Sequence, residues 1–385
     1  MKVIPAIALL LLARAVGVAE DGTSARIDAV FAPLTSSKSP GLAVLVLRDG
    51  RTIFERGYGV RDLRGFAKID GRTNFRLASF TKQFTAMSIM LLVHDGKLRY
   101  DTSLTRIFPE FPAYGRNITI RHLLSHTAGL PDYEDLMDQA EKAHGPTWTA
   151  THQIRDQEVL ALLEGQKDPK FAAGTSWSYS NSAYVVLGLA VAKVSGMPFE
   201  QFLLERIFSP LHMDRTLAFV NGANTVPDRA YGHTKSAGGF TATDQSPTSA
   251  TLGDGGIYSN LNDLAKWDAA LRNHALLSER EMRPAIIPVR LNDGSQPTWP
   301  TVPGEDNLDP GKPVSYGFGW FLDPYEGCSR MWHSGTSTGF RTVIERFPSR
   351  DLTVMVLSNR TDLDPVRPAL RVAGLLLNQG SSNGR

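Results

Sequence analysis

β-Branched, apolar runs occur at both ends of this chain, while helical patterns fill the sequence between them. Near the start, residues 41–47 and 52–60 flank an Asp-Gly dipeptide, which is the usual signal for a β-hairpin. Near the end, residues 340–347 and 352–358 form a second pair of strands joined by a short turn. Since each pair must bury its apolar side chains, we expect strands from both ends of the chain to pair in one sheet.

Helical spacing dominates the middle of the chain. Apolar residues recur every three or four positions in five segments, at residues 120–125, 156–164, 182–194, 199–207 and 262–271. An earlier apolar stripe runs from Phe80 to Gly96, and residues 365–378 predict a closing helix. Residues 221–254 and 292–315 are rich in Gly, Ser, Thr or Pro and predict long surface loops.

We therefore predict an α/β (α+β) fold, in which an antiparallel sheet with strands from both termini is flanked by helices. The predicted division is an α/β sandwich domain at residues 20–100 plus 310–385, with a mainly helical inserted domain at residues 101–309. The active site is expected between these two parts.

Composition excludes several classes of protein. The 385 residues include 41 Lys and Arg against 39 Asp and Glu, which gives a formal net charge of +2. A nucleic-acid-binding protein is disfavoured, because such proteins neutralise phosphates with an excess of basic residues. Apolar residues make up 42% of the chain, which excludes disorder as the main state, and the single cysteine excludes a disulfide scaffold. A globular enzyme is the hypothesis that remains.

Residues 1–19 have the three parts of a secretory signal peptide. Lys2 supplies the positive start, residues 3–12 form an apolar run, and small residues end the segment at Ala19. The run is too short to span a bilayer, so no stable membrane anchor is expected. The alternative interpretation is an N-terminal core helix. The pattern predicts an exported protein, periplasmic or extracellular, that begins near Glu20 after cleavage.

The strongest chemical candidate is the pair Ser79 and Lys82, where a short predicted strand at residues 74–78 leads into a helix. Residues i and i+3 are neighbours on one helix face, so the Lys82 amine can reach the Ser79 hydroxyl. A serine hydroxyl becomes a nucleophile when an adjacent base takes its proton, and lysine is such a base only where its neutral form is favoured. Because the S-x-x-K pattern arises about once by chance in a chain of this length, the motif alone is weak.

A Tyr-Ser-Asn tripeptide at residues 179–181 supplies a second group of candidates, just before a predicted helix. A tyrosine beside a serine–lysine pair could carry the proton to and from the leaving group. Asn181 could bind a substrate amide or carbonyl and help to order Lys82. The same tripeptide recurs at residues 258–260, so three residues alone do not decide between the two copies.

A third motif is the His-Ser-Gly sequence that begins at His333 and is followed by Thr336. It is expected on the edge of a strand. Gly335 has no side chain, so a substrate can approach the backbone closely there.

In this order, the three motifs resemble the serine β-lactamase-like superfamily. That group includes class C β-lactamases, D-alanyl-D-alanine carboxypeptidases, D-aminopeptidases and family VIII carboxylesterases. The resemblance covers nearly the whole chain after the signal peptide and includes three further segments, at residues 123–130, 255–264 and 316–320. The Gly-Gly pair that opens the second of these segments is what the family usually shows there, which leaves Tyr179 as the catalytic tyrosine.

The resemblance implies a role for each residue. Ser79 is the acyl-accepting nucleophile, with Lys82 and Tyr179 as the acid/base pair. The backbone N–H groups of Ser79 and Thr336 form the oxyanion hole. The residues that it places against the substrate are Asn181, His333, Gly335 and Thr336. The implied enzyme acts on a small ester or amide and needs no metal or cofactor.

Two other patterns suggest different chemistry. Residues 335–339 match G-x-S-x-G, the nucleophile elbow of α/β-hydrolases, with Ser337 as the nucleophile. The elbow requires a helix after the serine, whereas a β-like run follows here, so this hypothesis is disfavoured. His122 and His126 have the i, i+4 spacing of zinc ligands, but no third ligand is evident, and a helix-capping or core histidine is favoured.

Three hypotheses about the function remain. The first is an ester hydrolase of the family VIII carboxylesterase kind. The second applies the same Ser-Lys-Tyr machinery to D-amino-acid peptides or to β-lactams. His333 bears on this choice, since most β-lactamases of the superfamily carry Lys-Thr-Gly there; this disfavours a β-lactamase. The third hypothesis, a non-catalytic penicillin-binding protein, is disfavoured because all the reacting groups are present.

Overall fold

Helices and strands occur in blocks along the computed structural model, which describes residues 22–301 and 309–378. The predicted signal peptide at residues 1–19 lies outside the described residues. The α-helices are α1 (Gly22–Phe31), α2 (Lys82–His94), α3 (Leu104–Ile107), α4 (Ile120–Leu124), α5 (Tyr133–His144), α6 (Asp156–Glu164), α7 (Asn181–Ser195), α8 (Phe199–Leu203), α9 (Leu261–Arg272), α10 (Glu279–Met282) and α11 (Val366–Leu377). The strands are β1 (Leu42–Arg48), β2 (Arg51–Tyr58), β3 (Phe75–Arg76), β4 (Leu217–Ala218), β5 (His233–Ser236), β6 (Gly239–Ala242), β7 (Ile257–Ser259), β8 (Met331–Ser337), β9 (Phe340–Phe347) and β10 (Leu352–Ser358).

Strands from both ends of the chain form one five-stranded antiparallel sheet, in the order β2-β1-β10-β9-β8. β1 pairs with β10 along its whole length, beginning with Leu42 opposite Ser358. The predicted hairpin between β1 and β2 turns at Asp49 (φ 51°) and Gly50 (φ 69°), the two positive angles that a type I′ turn requires. The predicted fold class, an antiparallel sheet that joins the two ends of the chain, is confirmed.

Helices cover both faces of this sheet. Along β1, Leu42 and Val44 pack into a cluster with α1 and α11, whereas Ala43 and Leu45 pack into the larger core with α2 and α9. A strand that is buried on both faces has no polar side, so its sequence is a continuous apolar run.

Two helices of the larger core are buried on all sides. Every residue of α2 from Lys82 to Leu92 is buried, and so is every residue of α7 from Ser182 to Val191. These helices pack against each other, as expected for helices with no polar face. Because α2 begins with Lys82, that amine is inside the core from the first turn of the helix.

Four of the described helices are absent from the sequence-based prediction: α1, α3, α10 and, the longest of them, α5. The sequence of α5 is mostly polar and charged, and only Tyr133, Leu136 and Met137 are buried. Three apolar positions are too few to reveal a 3.6-residue period. The helix does have a capping signal, since the side chain of Asp132 accepts the N–H of Glu134.

The predicted loop at residues 221–254 is more structured than its composition suggested, because β5 and β6 form a hairpin within it. The predicted helix at residues 199–207 is interrupted, since α8 is followed by a π-type turn at Leu204–Phe208. The division of the chain into domains at residues 100 and 310 stays a prediction.

Within the described ranges, no single helix is long and apolar enough to cross a membrane. One bent pair of helices, Asn181–Ser195 with Phe199–Phe208, is long and apolar enough when the two are taken together. The angle between them is 79°.

Candidate active site

Ser79 lies in a tight turn between β3 and α2. Residues Ala78–Thr81 form this 3-10 turn. Ala78 has a left-handed backbone (φ 50°), a conformation that strains a residue with a Cβ and that the surrounding structure must hold. Ser79 is partly exposed while Ala78 and Phe80 are buried, so the turn presents the Ser79 hydroxyl at the surface.

Lys82 is fully buried, and its amine contacts three oxygen atoms. Nζ lies 3.0 Å from Oγ of Ser79, 2.8 Å from Oδ1 of Asn181 and 3.1 Å from the main-chain oxygen of Asp254. The amide and main-chain oxygens can only accept, so the amine donates a hydrogen bond to each of them. The hydroxyl of Ser79 is the third partner, and of the three it is the one that has a proton to give. This geometry allows Lys82 to take the serine proton.

Tyr179 and Asn181 reach the same place from the start of α7. Ser180 caps this helix, because its side-chain oxygen accepts a backbone N–H of the first turn at 3.1 Å. The ring of Tyr179 lies over the amine of Lys82, with Nζ 4.8 Å from the ring centroid. Four residues that the sequence singled out, including Ser79, are therefore neighbours in space.

The second Tyr-Ser-Asn tripeptide has a different place in the fold. Tyr258 is fully buried in β7, and Asn260 caps α9 by accepting the N–H of Asp263 at 3.1 Å. Each copy of the tripeptide supplies the N-cap of the helix that follows it. Polar residues are common at that position, which explains why the tripeptide recurs.

His333 lies in β8, behind Tyr179, and is only 1% exposed. Its Nδ1 lies 2.6 Å from the main-chain oxygen of Ser334 and therefore donates, and its Nε2 accepts from the hydroxyl of Tyr316 at 3.3 Å. Burial, with Lys82 nearby, lowers the pKa of His333 to about 3. The ring does not line the open cleft, so its predicted contact with substrate stays a prediction.

Gly335 lets β8 lie directly against the turn that carries Ser79. A Cβ on Gly335 would be 2.1 Å from the main-chain oxygen of Leu77, and Thr342 donates to the same oxygen at 2.8 Å. The missing side chain therefore makes room for the protein's own backbone. Thr336 follows on the exposed side of the strand, at the cleft that contains Ser79.

An open cleft of about 560 Å³ lies in front of the nucleophile. Ser79, Asn181 and Thr336 line it, as the sequence predicted for a shared site. The other lining residues come from β3, α5, β5, the end of β8, the start of β9 and the loops around them: Arg76, Ala78, Tyr133, Glu134, Met137, Asp138, Glu141, Thr234, Ser246, Pro247, Thr248, Ser249, Thr251, Asp254, Gly255, Ser337, Thr338, Arg341 and Thr361.

Sequence reasoning missed the part that His126 plays in the site. Its Nδ1 accepts the N–H of Ser180 at 3.1 Å, and its ring centroid lies 4.5 Å from that of Tyr179. Burial, with Lys82 and His333 nearby, lowers the pKa of His126 well below the usual value. The sequence signal for this role is the segment of residues 123–130, which contains His126 and resembles the family.

The two alternative chemistries have structural explanations. Ser337 ends β8 and is followed by a hairpin into β9 rather than by a helix, so the elbow context is absent. His122 is part of the capping box of α4, where its Nδ1 accepts the N–H of Thr119 at 3.2 Å. Within the described residues, no group of three or more His, Cys, Asp or Glu side chains is placed to hold a metal ion.

Known proteins resemble this chain along most of its length. Penicillin-binding protein 4* of Bacillus subtilis (strain 168) is 29% identical over 334 residues, which cover 83% of this chain and 68% of that protein. A D-aminopeptidase of Gluconobacter oxydans (strain 621H) is 26% identical over 363 residues, which cover 92% of this chain. The chain spans 63% of that relative's length.

The fold is also that of a solved relative. The octameric penicillin-binding protein homologue from Pyrococcus abyssi matches with a TM-score of 0.74 and 26% identity, over 92% of this chain and 77% of that one. The beta-lactamase family profile matches residues 27–379, which include every catalytic candidate described above. The chain therefore belongs to the beta-lactamase family and is a serine hydrolase.

Proposed function

We propose that the protein hydrolyses an amide bond next to a D-amino acid, in a peptide or amide, through an acyl-enzyme on Ser79. The observation that carries this proposal is the set of contacts around Lys82. Two acceptor-only oxygens hold its amine against Ser79 Oγ, which is the position that a base for this hydroxyl must occupy. The similarity to a D-aminopeptidase supports the substrate class.

In the first step Lys82 takes the proton of Ser79, and Oγ bonds to the carbonyl carbon of the substrate. The negative charge moves to the carbonyl oxygen, where the backbone N–H groups of Ser79 and Thr336 stabilise it. The tetrahedral species then expels the amine, which receives a proton through Tyr179. Water attacks the acyl-serine in the second step, and its proton returns by the same residues.

Ester hydrolysis, the first sequence-based hypothesis, stays a prediction. An ester needs the same nucleophile and a weaker proton donor, because an alcohol leaves more easily than an amine. The two relatives and the solved homologue described above are named as penicillin-binding proteins or as an aminopeptidase. Amide substrates are therefore the better-supported class.

The test compares Ser79→Ala with wild type on four substrates: D-alanine p-nitroanilide, a D-Ala-D-Ala peptide, p-nitrophenyl butyrate and nitrocefin. We expect the highest kcat/KM on the D-amino-acid substrates. Loss of the nucleophile should lower kcat by roughly 10⁴-fold or more.

Ser337→Ala is the matched control, since it removes the hydroxyl of another serine that lines the cleft. It should leave turnover within a few-fold of wild type. Activity that survives in Ser79→Ala, or that disappears in Ser337→Ala, contradicts the assignment of the nucleophile. A clear preference for the butyrate ester contradicts the amide assignment and restores the ester hypothesis.

A further inference from the structure

Asp254 is a buried carboxylate in the wall of the active-site cleft. Its side chain is 6% exposed and lines the cleft together with Ser79 and Asn181. Oδ2 lies 3.4 Å from the hydroxyl of Tyr133, whereas Oδ1 has no hydrogen-bond partner among the described residues. A buried carboxylate oxygen without a donor is unfavourable by itself. The residue also lines an open cleft, so a ligand in that cleft can supply a donor to this carboxyl group.

The backbone of Asp254 lies beside the reacting atoms. Its main-chain oxygen accepts from Lys82 Nζ at 3.1 Å. The next residue, Gly255, packs on the turn of the nucleophile, since a Cβ there would lie 3.6 Å from Cα of Ala78. A free α-amino group is two bonds from the carbonyl carbon that Ser79 attacks. Because Asp254 lines the cleft and its main chain contacts the catalytic lysine, its carboxylate is the candidate partner for the amine of the residue that becomes the acyl group.

The charges around the cleft favour a cation on this side. α5 contributes Glu134, Asp138 and Glu141 to the wall near Tyr133, with the i, i+4, i+7 spacing of one helix face. The basic residues of the cleft donate to main-chain oxygens: Arg76 to Ser249, and Arg341 to Ser337 and Phe340. Asp254 is the member of this acidic lining whose main-chain oxygen contacts the catalytic lysine.

We propose that Asp254 binds the protonated α-amino group of the residue acylated on Ser79, and that it selects substrates with a free amino terminus. This inference rests on the proposed function and narrows it, because a carboxypeptidase substrate carries an acylated amine at that position. An N-acylated residue has no positive charge and presents an amide in place of the ammonium group. Its binding leaves the carboxylate of Asp254 without a charged partner.

The test measures kcat/KM of wild type and Asp254→Asn on D-alanine p-nitroanilide and on N-acetyl-D-alanine p-nitroanilide. Wild type should prefer the free amine. In the variant, kcat/KM for the free amine should fall roughly 10- to 100-fold, the loss expected for a charge-assisted hydrogen bond. The value for the N-acetyl substrate should stay within about 3-fold, which also shows that the variant is folded and that Lys82 is in place.

Asp135→Asn is the matched control. It removes the same charge from an exposed position of α5 that does not line the cleft. Both substrates should react as in wild type. An unchanged preference in Asp254→Asn overturns the inference. An equal loss on both substrates overturns it too, because the residue then only supports the backbone at Lys82.

The same pair of compounds as methyl esters separates this inference from the proposed function. If the anilides resist hydrolysis and the esters react, the amide assignment fails, while the ester pair still measures the preference for a free amine. An enzyme that hydrolyses the D-alanine amide without any preference for the free amine retains the proposed function and loses the inference.

Discussion

His126 has a left-handed backbone (φ 61°), which a residue with a Cβ adopts only where its neighbours compensate the strain. The compensation is visible in its contacts, because Nδ1 accepts the N–H of Ser180 and the ring packs on Tyr179. The acceptor role of Nδ1 places the ring proton on Nε2, so this is the neutral tautomer. His126 and His333 thus surround the catalytic groups with uncharged rings. Neither ring adds a positive charge beside the amine of Lys82.

This neutrality leads to a prediction for the titration of both histidines. Burial lowers the pKa of His333 to about 3 and that of His126 well below its usual value. A lowered pKa means that the neutral ring persists as the pH falls, until the pH approaches that lower value. The ¹⁵N chemical shifts of both rings should therefore stay constant between pH 5 and pH 8. His333→Gln and His126→Gln assign the signals, and a midpoint near pH 6.5 for either ring contradicts the prediction.

Among the elements, β8 depends most on a single position. Gly335 is where the strand meets the main-chain oxygen of Leu77, and β9 contacts the same oxygen through Thr342. Strand and turn are close enough here to place Thr336 and Ser79 on one cleft. The geometry of the predicted oxyanion hole is therefore set by the absence of a side chain.

A substitution at this glycine should reduce activity more than stability. In Gly335→Ala the new methyl group meets backbone, so β8 must move away from the nucleophile turn. We expect kcat to fall about 100-fold, as for loss of one oxyanion donor, with a loss of stability of about 1–3 kcal/mol.

Gly238→Ala is the matched control for that variant. A Cβ there meets no atom within 4 Å, and the residue lies between β5 and β6 with no positive φ. It should match wild type in kcat and in urea denaturation. A Gly335→Ala variant with wild-type kcat would contradict the close packing of β8 on the turn.

The elements that the sequence predicted well are those with a local cause. β9 and α6 have the predicted bounds, because a run of apolar residues with a turn, or a 3.6-residue period, lies within each. α5 and the β5–β6 hairpin were missed since their side chains are largely exposed and make little apolar pattern. Their stability comes from caps and backbone pairing.

The same distinction applies to the site. The contact between Ser79 and Lys82 follows from i, i+3 spacing on a helix, so it could be predicted from four residues. Asp254 could not, because its approach to Lys82 depends on how a long loop packs on α2 and α7. No period or motif in that loop encodes the distance.

At the scale of the whole molecule, the sheet contains a buried acid. Glu345 in β9 is completely buried, and neither of its carboxylate oxygens has a hydrogen-bond partner among the described residues. Its nearest positive charge is Arg330, with 3.5 Å between Nη1 and Oε2. Burial raises the pKa of Glu345 to about 8, which the attraction of Arg330 only partly opposes. The folded protein therefore holds this carboxyl in its protonated form near neutral pH.

The raised pKa makes stability depend on pH. The unfolded chain ionises this group near its ordinary pKa of 4.5, whereas the folded chain does so near 8. The contribution of Glu345 to the free energy of unfolding is therefore full below pH 4.5 and is lost as the pH rises to 8. Between pH 6 and pH 9, wild type should lose about 2–3 kcal/mol of unfolding free energy from this group.

Glu345→Gln removes the titration and keeps the shape of the side chain. Urea denaturation at pH 6 and pH 9 should show that this variant loses about 2–3 kcal/mol less unfolding free energy than wild type does. Glu326→Gln, an exposed position in the loop before β8, is the control and should follow wild type. Equal losses in Glu345→Gln and wild type would show that the buried carboxyl does not ionise in this range.

The pairing of β1 with β10 also determines when activity can first exist. Ser358 donates to the main-chain oxygen of Gly41 across 317 positions of sequence, so β1 must wait on the ribosome for β10 before it can pair. Contacts this distant in sequence form slowly. Until residues 331–358 have been synthesised, a nascent chain carries Ser79 without the strand that completes its cleft. The order of synthesis thus delays acylation until the chain has been elongated past residue 358.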